Sequence, residues 1–417
     1  MTNLRAETFG TRSPHREARG LCTGVMNRYR AFSADDAVAA AAAALSRSAG
    51  KSVAISNPRK LSDDGRRNLI LRASAVLADG PPRPIIIKAT RAAGYDAGAM
   101  DAYERFGFVK EWAATTLVGR RAERRDSDTV ILASDVSQGV LVFQDFGEEL
   151  LSMVQPLLYG SASEAEQALT TYAIALAGLH AETIGCHAEH AAIVRSAFPK
   201  ANIPPPGHGW IDYTRAVPIL LGANLPDSEV ALIAEHLQRP GGWLVLAHRD
   251  PCPDNVLMTT TGTAKLIDFE FAAPGHALLD AAYWKMGFPT CWCAGHVPKA
   301  IGERIDRAYR SVLAEAIPLA ADDDAFRQES ALISVAWLFG SLASMLDASL
   351  REDTSWGIST RRSRILYYLQ TAIEIITEAD VLPGIRKVAA AWLDDLRGRW
   401  PSISPLASYP AFTTLTN

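Results

Sequence analysis

The residues with the clearest potential for chemistry lie in "HRDPCPDNVL" (248–257), where Asp250 follows a histidine by two residues and Asn255 follows five residues later. A third oxygen-bearing side chain, Asp268, lies in "AKLIDFEF" (264–271). Carboxylate and amide oxygens are the hard ligands that Mg²⁺ takes from proteins. A separate carboxylate is needed to accept or orient the proton of an attacking hydroxyl. The set therefore indicates phosphoryl transfer, with Asp268 and Asn255 on the metal and Asp250 facing the acceptor.

A predicted β-hairpin would bring these three side chains together. The strand-like segments "NVLM" and "AKLIDFEF" flank the turn "TTTGT" (259–263). Asn255 begins the first strand and Asp268 ends the second, so antiparallel pairing places them side by side. Asp250 lies just before the hairpin at the same end. A purely structural turn is the alternative interpretation of this stretch.

The rest of the chain predicts two lobes, since 417 residues exceed what a single small core usually holds. An order of strands, helix and strands indicates a small α+β lobe, followed by a larger and mainly helical lobe. The predicted strands are 51–57, 67–77, 82–90, 129–136 and 139–147, and the predicted helices include 33–50, 101–122, 163–183 and 227–238. The predicted domains are a disordered tail (1–32), a nucleotide-binding N-lobe (33–144), a helical C-lobe with the catalytic loop and acceptor site (145–400), and a tail (401–417).

Composition favours an ordinary soluble enzyme. Apolar residues make up 48% and charged residues 21% of the chain. The net charge of −4 argues against a general nucleic-acid binder, which would usually be basic. Five scattered cysteines form no disulfide framework and favour a reducing compartment, so the protein is expected to be cytoplasmic.

Two sequence features could suggest other roles. Cys291 and Cys293 in "PTCWCAGH" have a histidine nearby, but no second ligand pair occurs at zinc-finger distance, so a structural role is predicted. The apolar run 331–346 is short and interrupted by Ser and Gly, so no membrane span is expected. The N-terminus lacks the apolar core of a signal peptide, and Met26 is an alternative start of translation.

The spacing His248-x-Asp250-x-x-x-x-Asn255, followed by "IDFE" at Asp268, resembles the kinase-like superfamily. The sequence is most similar to its aminoglycoside phosphotransferase and choline kinase branch. There "IDFEFAAPGHALLDAAYW" resembles a metal-binding aspartate followed by an aspartate in the next helix, here Asp280. The resemblance implies an α+β, bilobal protein-kinase-like fold with a small mixed β-sheet N-lobe and a large mainly helical C-lobe. Protein kinases would show D-F-G and a later A-P-E, whereas this chain has D-F-E and no clear A-P-E.

The resemblance extends over roughly residues 50–345 and implies a strand lysine with a helical glutamate partner. Lys88 in "IIIKAT" fits the lysine that meets nucleotide phosphates, and an ordinary strand-end lysine is the alternative. Glu111 in "FVKEWAATTLVG" best matches the glutamate. Glu104 is the second choice, and a solvent-facing charge is the alternative for Glu111.

Two backbone segments would complete the nucleotide site. The connector "LVFQDFG" (141–147) fits a hinge whose backbone around Gln144 and Phe146 binds adenine. The segment "LSDDGRRNLILRA" would be the turn that covers the phosphates, although it departs from G-x-G-x-x-G and carries an acidic pair. Ser62 and Gly65 are its candidate backbone donors.

Four further residues surround the loop. His248 is expected to brace it by hydrogen bonds, and Asp280 is expected to hold it through backbone hydrogen bonds. Arg249 is either a solvated charge or neutralises the site. Glu270 points the same way as Asp268 along a strand, so it either reaches the metal region or is an ordinary strand-end carboxylate.

Together these residues predict an ATP-dependent phosphotransferase that uses Mg²⁺ and ATP, or another NTP. The γ-phosphate would pass to a hydroxyl of a small molecule such as an aminoglycoside, an amino sugar or an amino alcohol. No nucleic-acid or membrane partner is expected, and the oligomeric state is left open. An atypical protein kinase and a nucleotide-binding pseudokinase without turnover are the alternatives. The missing A-P-E argues against the first, and the intact Asp250, Asn255 and Asp268 argue against the second.

Overall fold

Alternation of buried and exposed side chains shapes the first part of the chain into a five-stranded antiparallel sheet. Its strands are β1 (Val53–Lys60), β2 (Asn68–Leu77), β3 (Arg83–Thr90), β4 (Ile131–Asp135) and β5 (Val140–Gln144). Their spatial order is β1-β2-β3-β5-β4. In β3, Ile85, Ile87 and Ala89 are buried on one face, as a side-chain period of two requires. The computed structural model describes residues 32–63, 66–77, 80–122 and 131–415, so the predicted tail 1–32 lies outside the described residues except for Phe32, which is buried.

Helix α1 (Ala34–Ala49) covers this sheet and agrees with the predicted helix. Ser33 Oγ accepts the Asp36 N–H at 3.0 Å, and the Asp36 carboxylate accepts the Ser33 N–H at 2.9 Å. This reciprocal capping box satisfies two backbone donors at the helix start. The helix ends at Gly50, whose φ of 65° is one that glycine adopts without strain. Its buried alanines and the sheet form a small core of their own.

The predicted helix 101–122 is two helices, α2 (Ala102–Arg105) and α3 (Gly107–Ala122). The residue between them is extended. A Cβ on Gly107 would lie 3.1 Å from Cβ of Glu270. The glycine therefore lets the start of α3 approach the segment that follows the hairpin in the second lobe.

The second lobe is mainly helical. Its longest helix, α11, is long and apolar enough to cross a membrane by length and composition alone, but 67% of that apolar window is buried inside the protein. It packs against α7, α9 and α12, as the central helix of a lobe does. The helices of this lobe are α4 (Val154–Tyr159), α5 (Ala162–Glu182), α6 (His187–Ala197), α7 (Trp210–Leu221), α8 (Asp227–Gln238), α9 (Leu278–Lys285), α10 (Lys299–Leu313), α11 (Asp323–Arg351), α12 (Arg361–Ala379) and α13 (Pro383–Arg399).

Short strands in the second lobe form the predicted hairpin, with a third strand beside it, and two further pairs that the sequence did not predict. β8 and β9 are antiparallel, with Val256 opposite Leu266. β7 pairs with β10, a segment without a strand-like pattern. The predicted bilobal α+β fold is confirmed. The short strands are β6 (Leu151–Ser152), β7 (Leu244–Ala247), β8 (Val256–Met258), β9 (Ala264–Leu266), β10 (Ala273–His276), β11 (Ser355–Trp356) and β12 (Ser359–Thr360).

The chain after residue 400 differs from the predicted tail. Leu406, Tyr409 and Phe412 are buried in the large core together with helices of the second lobe. The backbone of His296 accepts and donates hydrogen bonds to this segment. Three well-spaced apolar side chains are enough to fold a short polar segment onto the lobe, because each removes a large area from water.

Candidate active site

The buried carboxylate of Asp280 holds the start of the loop 248–255 through two backbone hydrogen bonds. Oδ2 of Asp280 accepts the backbone N–H of His248 at 2.6 Å, and Oδ1 accepts that of Arg249 at 2.8 Å. Arg249 has a φ of 63°, which costs energy for a residue with a Cβ. The two hydrogen bonds hold the backbone in this conformation. The side chain of Arg249 itself is exposed.

A histidine and a tyrosine that the sequence analysis missed support Asp280. Nε2 of His180 lies 3.0 Å from Oδ2 of Asp280, and its Nδ1 lies 2.7 Å from the hydroxyl of Tyr309. All three side chains are fully buried. With Nε2 donating to the carboxylate, Nδ1 accepts from the tyrosine, so the chain of hydrogen bonds is complete. No sequence pattern connects these residues, because they come from α5, α9 and α10.

His248 joins the loop to the hairpin. It is fully buried, and its Nε2 donates to the carbonyl of Ile267 at 3.0 Å, one residue before Asp268. The ring also packs against Phe269, with centroids 4.7 Å apart. The side chain of His248 therefore connects the loop to the residues on either side of Asp268.

Asp250 is buried beside two hydroxyl groups that the sequence did not reveal. Its Oδ1 accepts hydrogen bonds from Thr290 at 2.8 Å and from Tyr283 at 3.2 Å. The two hydroxyls also contact each other. Tyr283 lies on α9 and Thr290 in the loop that follows it. Two hydroxyl groups thus fix the direction of the carboxylate that the sequence singles out as the group facing the acceptor.

Asn255 directly precedes β8 and Asp268 follows β9 by two residues, so both lie at the same end of the hairpin, as the sequence predicts, but outside its strands. The carbonyl of Asn255 accepts the N–H of Ile267 at 3.0 Å. Its side-chain Nδ2 donates to the carbonyl of Asp250 at 2.9 Å, which directs the amide relative to the loop. Asp268 has a φ of 65° and a side chain that is 35% exposed.

Lys88 lies between two carboxylates, one on helix α3 and one after the hairpin of the second lobe. Its Nζ is 2.6 Å from Glu111 on α3 and 2.5 Å from Asp268. Burial disfavours the charge of Lys88, but Asp268 and Glu111 outweigh it and raise the pKa of the ammonium group. Burial alone would raise the pKa of Asp268, and the charge of Lys88 reverses this and lowers it. Glu111 is buried rather than solvent-facing, and Glu104 contacts Lys110 at 3.9 Å instead.

Glu270 is held by the small lobe, next to a cation whose charge also acts on Asp268. Its carboxylate pairs with Arg67 of the small lobe and accepts from Asn68 Nδ2 at 3.3 Å. The strand β9 ends at residue 266, so the alternation that would align Glu270 with Asp268 no longer applies at these positions. The structure thus favours the interpretation of Glu270 as a strand-end carboxylate, here one that connects the lobes.

The predicted hinge contains an ion pair that the sequence analysis missed. Gln144 ends β5 opposite Ile85, with an exposed side chain. Next to it, buried Asp145 pairs with Arg72 of β2 at 2.6 Å and accepts the Gly147 N–H at 3.0 Å. This ion pair holds the connector 141–147 against strand β2.

The aromatic residue of the hinge lies near a second cation. The ring of Phe146 is 5.6 Å from Nζ of Lys265 on β9. The connector therefore passes directly over the hairpin that carries Asp268 at its end.

The predicted phosphate-covering turn joins β1 and β2. Ser62 Oγ accepts the N–H of Ile70 at 3.0 Å, so this hydroxyl links the turn after β1 to strand β2. Gly65 lies outside the described residues. The assignment of both as nucleotide-binding residues stays a prediction.

Residues 147–310 match the model of the "Phosphotransferase enzyme family", and this segment contains the loop 248–255, the hairpin and Asp280. The segment is similar to that family. The predicted branch of the kinase-like superfamily is thereby confirmed, and so is the predicted class of enzyme, a small-molecule phosphotransferase. No curated protein sequence matches the chain.

Solved structures similar to this protein include two kinases of small alcohols and one antibiotic-modifying enzyme. The Plasmodium vivax ethanolamine kinase has 11% identity and a TM-score of 0.44, over 80% of this chain and 83% of that chain. The choline kinase of Streptococcus pneumoniae has 13% identity and a TM-score of 0.38, over 78% and 94%. The macrolide 2'-phosphotransferase of Brachybacterium faecium has 14% identity and a TM-score of 0.39, over 72% and 95%.

Proposed function

We propose that this phosphotransferase moves the γ-phosphate of ATP to a hydroxyl group of an aminoglycoside, an amino sugar or an amino alcohol. The observation that carries the proposal is the juxtaposition of Lys88, Glu111 and Asp268 with the loop that holds Asp250 and Asn255. Phosphoryl transfer depends mainly on positioning and on charge stabilisation, which these side chains supply. The buried, unpaired thiols of the described residues suit the reducing cytoplasm, where we propose that the reaction takes place.

Asp250 is the residue proposed to orient the acceptor. Thr290 and Tyr283 donate to its Oδ1 and fix the plane of the carboxylate. A carboxylate in a fixed direction can accept the hydrogen bond of an incoming hydroxyl and direct its oxygen lone pair at the phosphorus atom. It can also receive the proton as the new O–P bond forms.

Lys88 is the residue proposed to contact the phosphates. Its charge is maintained in a buried position by Glu111 and Asp268. When phosphate oxygens reach Nζ, they provide the negative charge that Asp268 provides in their absence. Glu111 remains as the second partner and keeps the ammonium group in the cleft.

The oxygen donors at the hairpin end fit a magnesium ion. Oδ1 of Asn255 accepts no hydrogen bond from any residue that the structure describes, and Asp268 is partly open to solvent. One or two such ligands are what Mg²⁺ usually takes from a protein. The bound ion would neutralise charge on the transferred phosphate. Asp268 and Asn255 would hold it, and Nδ2 of Asn255 would keep its contact with the loop.

The test is an ADP-release screen across aminoglycosides, amino sugars and amino alcohols with the wild-type protein and the Asp250→Asn and Asp268→Asn variants. We expect turnover on at least one alcohol, and a loss in kcat of roughly a hundredfold to ten-thousandfold in Asp250→Asn. Asp212→Asn on the exposed face of α7 is the matched control and should keep wild-type turnover.

Three outcomes would contradict the proposal. Full turnover by Asp268→Asn would remove the assigned metal ligand from the mechanism. ATP binding without turnover on any alcohol would favour a pseudokinase. Label from ATP that appears only on protein would favour an atypical protein kinase.

A further inference from the structure

Four potential metal ligands converge behind the loop that carries Asp250. They are three buried thiols and a half-buried carboxylate: Cys252, Cys291, Cys293 and Asp254. The ligand atoms of Cys252, Asp254 and Cys291 all lie within 4.8 Å of one another. Sγ of Cys291 is 3.8 Å from Oδ1 of Asp254 and 3.0 Å from Sγ of Cys293.

The sequence alone could not reveal this cluster. Cys291 and Cys293 form a C-x-C pair without a second pair at zinc-finger distance, which is why a structural role is predicted from the sequence. The two missing ligands come from the catalytic loop, about forty residues earlier in the chain. The packing of α9 against the loop brings the two segments together.

Contacts on the far side hold the C-x-C segment in place. The buried guanidinium of Arg364 donates to the carbonyls of Cys291 at 2.7 Å and of Trp292 at 3.1 Å. Trp292 Nε1 donates to Oδ2 of Asp254 at 3.0 Å, which leaves Oδ1 turned to Cys291. A Cβ on Gly357 would lie 1.9 Å from the carbonyl oxygen of Trp292, so the turn between β11 and β12 packs directly against the C-x-C segment. These contacts therefore fix the backbone of the C-x-C segment and one oxygen of Asp254.

The distances suit tetrahedral coordination better than a disulfide bond. Bonds of about 2.3 Å from a zinc ion place two sulfur ligands about 3.8 Å apart. The ligand atoms of Cys252, Asp254 and Cys291 lie within 4.8 Å of one another, and Sγ of Cys293 lies 3.0 Å from that of Cys291, so small side-chain rotations would bring the four toward that spacing. A disulfide needs sulfur atoms about 2.05 Å apart, well below the distance between Cys291 and Cys293.

We infer that Cys252, Asp254, Cys291 and Cys293 form a binding site for a thiophilic divalent cation of the zinc type. The thiols release their protons to solvent as they bind the cation. The guanidinium of Arg364 on the adjacent carbonyls offsets part of the remaining negative charge. This site differs in chemistry from the hard-oxygen pair Asn255 and Asp268, because thiolate sulfur selects zinc over magnesium.

The cation would determine the geometry around Asp250 from two sides. The backbone N–H of Cys252 donates to the carbonyl of Asp250 at 2.8 Å. Thr290, which donates to the Asp250 carboxylate, is the residue directly before Cys291. Tyr283 contacts both Cys252 Sγ and Asp250. This consequence for catalysis rests on the proposed function, whereas binding of the cation does not.

The test measures binding of the metal itself in the full-length protein. The reduced protein is freed of metal with a chelator and titrated with Zn²⁺ against a competing colorimetric chelator. A second titration with Co²⁺ is followed by visible absorption, which reports tetrahedral thiolate coordination. We expect one equivalent of either metal per chain and a rise in the melting temperature with Zn²⁺.

Single-cysteine variants locate the site. Cys291→Ser and Cys252→Ser should each weaken Zn²⁺ binding by roughly a hundredfold or more, beyond what loss of a supporting residue costs. Cys186→Ser is the matched control, because Cys186 is also fully buried and lies in a different part of the second lobe. It should bind Zn²⁺ like the wild-type protein.

Several results would overturn the inference. They are binding of less than a fifth of an equivalent of Zn²⁺ by the reduced wild-type chain, the same affinity in Cys291→Ser, or cobalt spectra without thiolate bands. A circular dichroism spectrum of each variant distinguishes lost binding from lost folding, and Asp254→Asn, which keeps all thiols, serves if a serine variant does not fold. No nucleotide or alcohol is present, so failure of the proposed function would leave these results unchanged.

Discussion

Two hydroxyl groups share one oxygen of Asp250, and this fixes where the carboxylate points. A lone aspartate at the end of a loop would sample several rotamers, each of which directs an acceptor hydroxyl differently. Thr290 and Tyr283 reduce this freedom, and their mutual contact ties the two donors to each other. The hydroxyl of Thr290 is the more suitable one for a test, because removing it changes few packing contacts.

Replacement of Thr290 by valine is expected to lower kcat by roughly tenfold, or about 1.4 kcal/mol. The two side chains have nearly the same shape, but valine offers no donor to Asp250. The KM for ATP should stay unchanged. Steady-state kinetics on the alcohol identified by the screen would check this, with Thr290→Ser as the control that retains the donor. Equal kcat values for the valine and serine variants would show that the hydroxyl is irrelevant to orientation.

His190 is a buried histidine without a hydrogen-bond partner for either ring nitrogen among the described residues. Its ring packs edge-on against Tyr103 with centroids 5.8 Å apart. Burial, followed by the charge of His187, lowers the pKa of His190 from 6.5 to about 4. The unfolded chain therefore binds more protons than the folded chain between these two pH values, so stability falls as the pH falls.

The predicted pH effect is a loss of about 2 kcal/mol in the free energy of unfolding between pH 7 and pH 5. His190→Phe keeps an aromatic ring and removes the titrating group. Urea unfolding at both pH values should show this loss in the wild-type protein and a smaller loss in the variant. Parallel pH profiles for the two proteins would assign the effect to other groups.

At the scale of elements, helix α3 belongs more to the second lobe than to the sheet. Its buried face lies in the large core, where Trp112 packs edge-on against Phe198 after α6 with centroids 5.5 Å apart. Glu111 is on this helix, so the second lobe fixes the carboxylate that pairs with Lys88. The sheet contributes Lys88 and α3 contributes Glu111. The ion pair between them therefore depends on how the sheet packs against α3.

The catalytic loop is anchored by a different element, α9, through the two hydrogen bonds of Asp280. Asp280→Asn replaces one acceptor oxygen by a donor, so one of the two backbone N–H groups loses its partner. Leaving a buried donor unsatisfied costs about 1–3 kcal/mol. We therefore expect a lower free energy of unfolding by that amount together with a reduced kcat.

Chemical denaturation and the same kinetic assay would measure both effects of Asp280→Asn. Asp347→Asn is a suitable control, because Asp347 pairs with Arg351 on the outside of α11 and such pairs contribute at most about 1 kcal/mol. Unchanged stability and kcat in Asp280→Asn would mean that the loop keeps its shape without this anchor.

Contacts between residues that are close in the sequence were predictable, whereas contacts between distant segments were not. The proximity of Asn255 and Asp268 was predictable because a hairpin is local, and its turn has a clear signature. The ends of α1 were predictable from Ser33 and Gly50. The resemblance to a known family supplied Lys88, Glu111 and Asp280, which no local pattern could have linked.

What escaped prediction depends on packing between distant segments. The contacts of Thr290 and Tyr283 with Asp250, and the approach of Cys252 to Cys291, arise only when α9 lies against the loop. The break between α2 and α3 is set by the approach of Gly107 to Glu270, a contact across the lobes. Such positions carry no periodicity and no short motif that would distinguish them in the sequence.

At the scale of the whole molecule, the last described residues close the large core. Phe412 is fully buried although it lies near the end of the chain. Phe412→Ala should lower the free energy of unfolding by about 3–5 kcal/mol, since it opens a cavity and loses buried apolar area. Ser404→Ala, at an exposed position of the same segment, should change it by less than about 0.5 kcal/mol. Equal melting temperatures for these two variants would indicate that the segment does not stabilise the lobe.

Lys88 joins the two lobes through Asp268, and Arg67 does so through Glu270. In the proposed reaction, Asp268 therefore competes with the phosphates of the nucleotide for Lys88. Phosphate oxygens that take Lys88 must displace Asp268, and the displaced carboxylate becomes available for the metal. Nucleotide and magnesium would then bind cooperatively, each lowering the concentration at which the other is half bound. The degree of cooperativity would report the strength of the contact between Lys88 and Asp268.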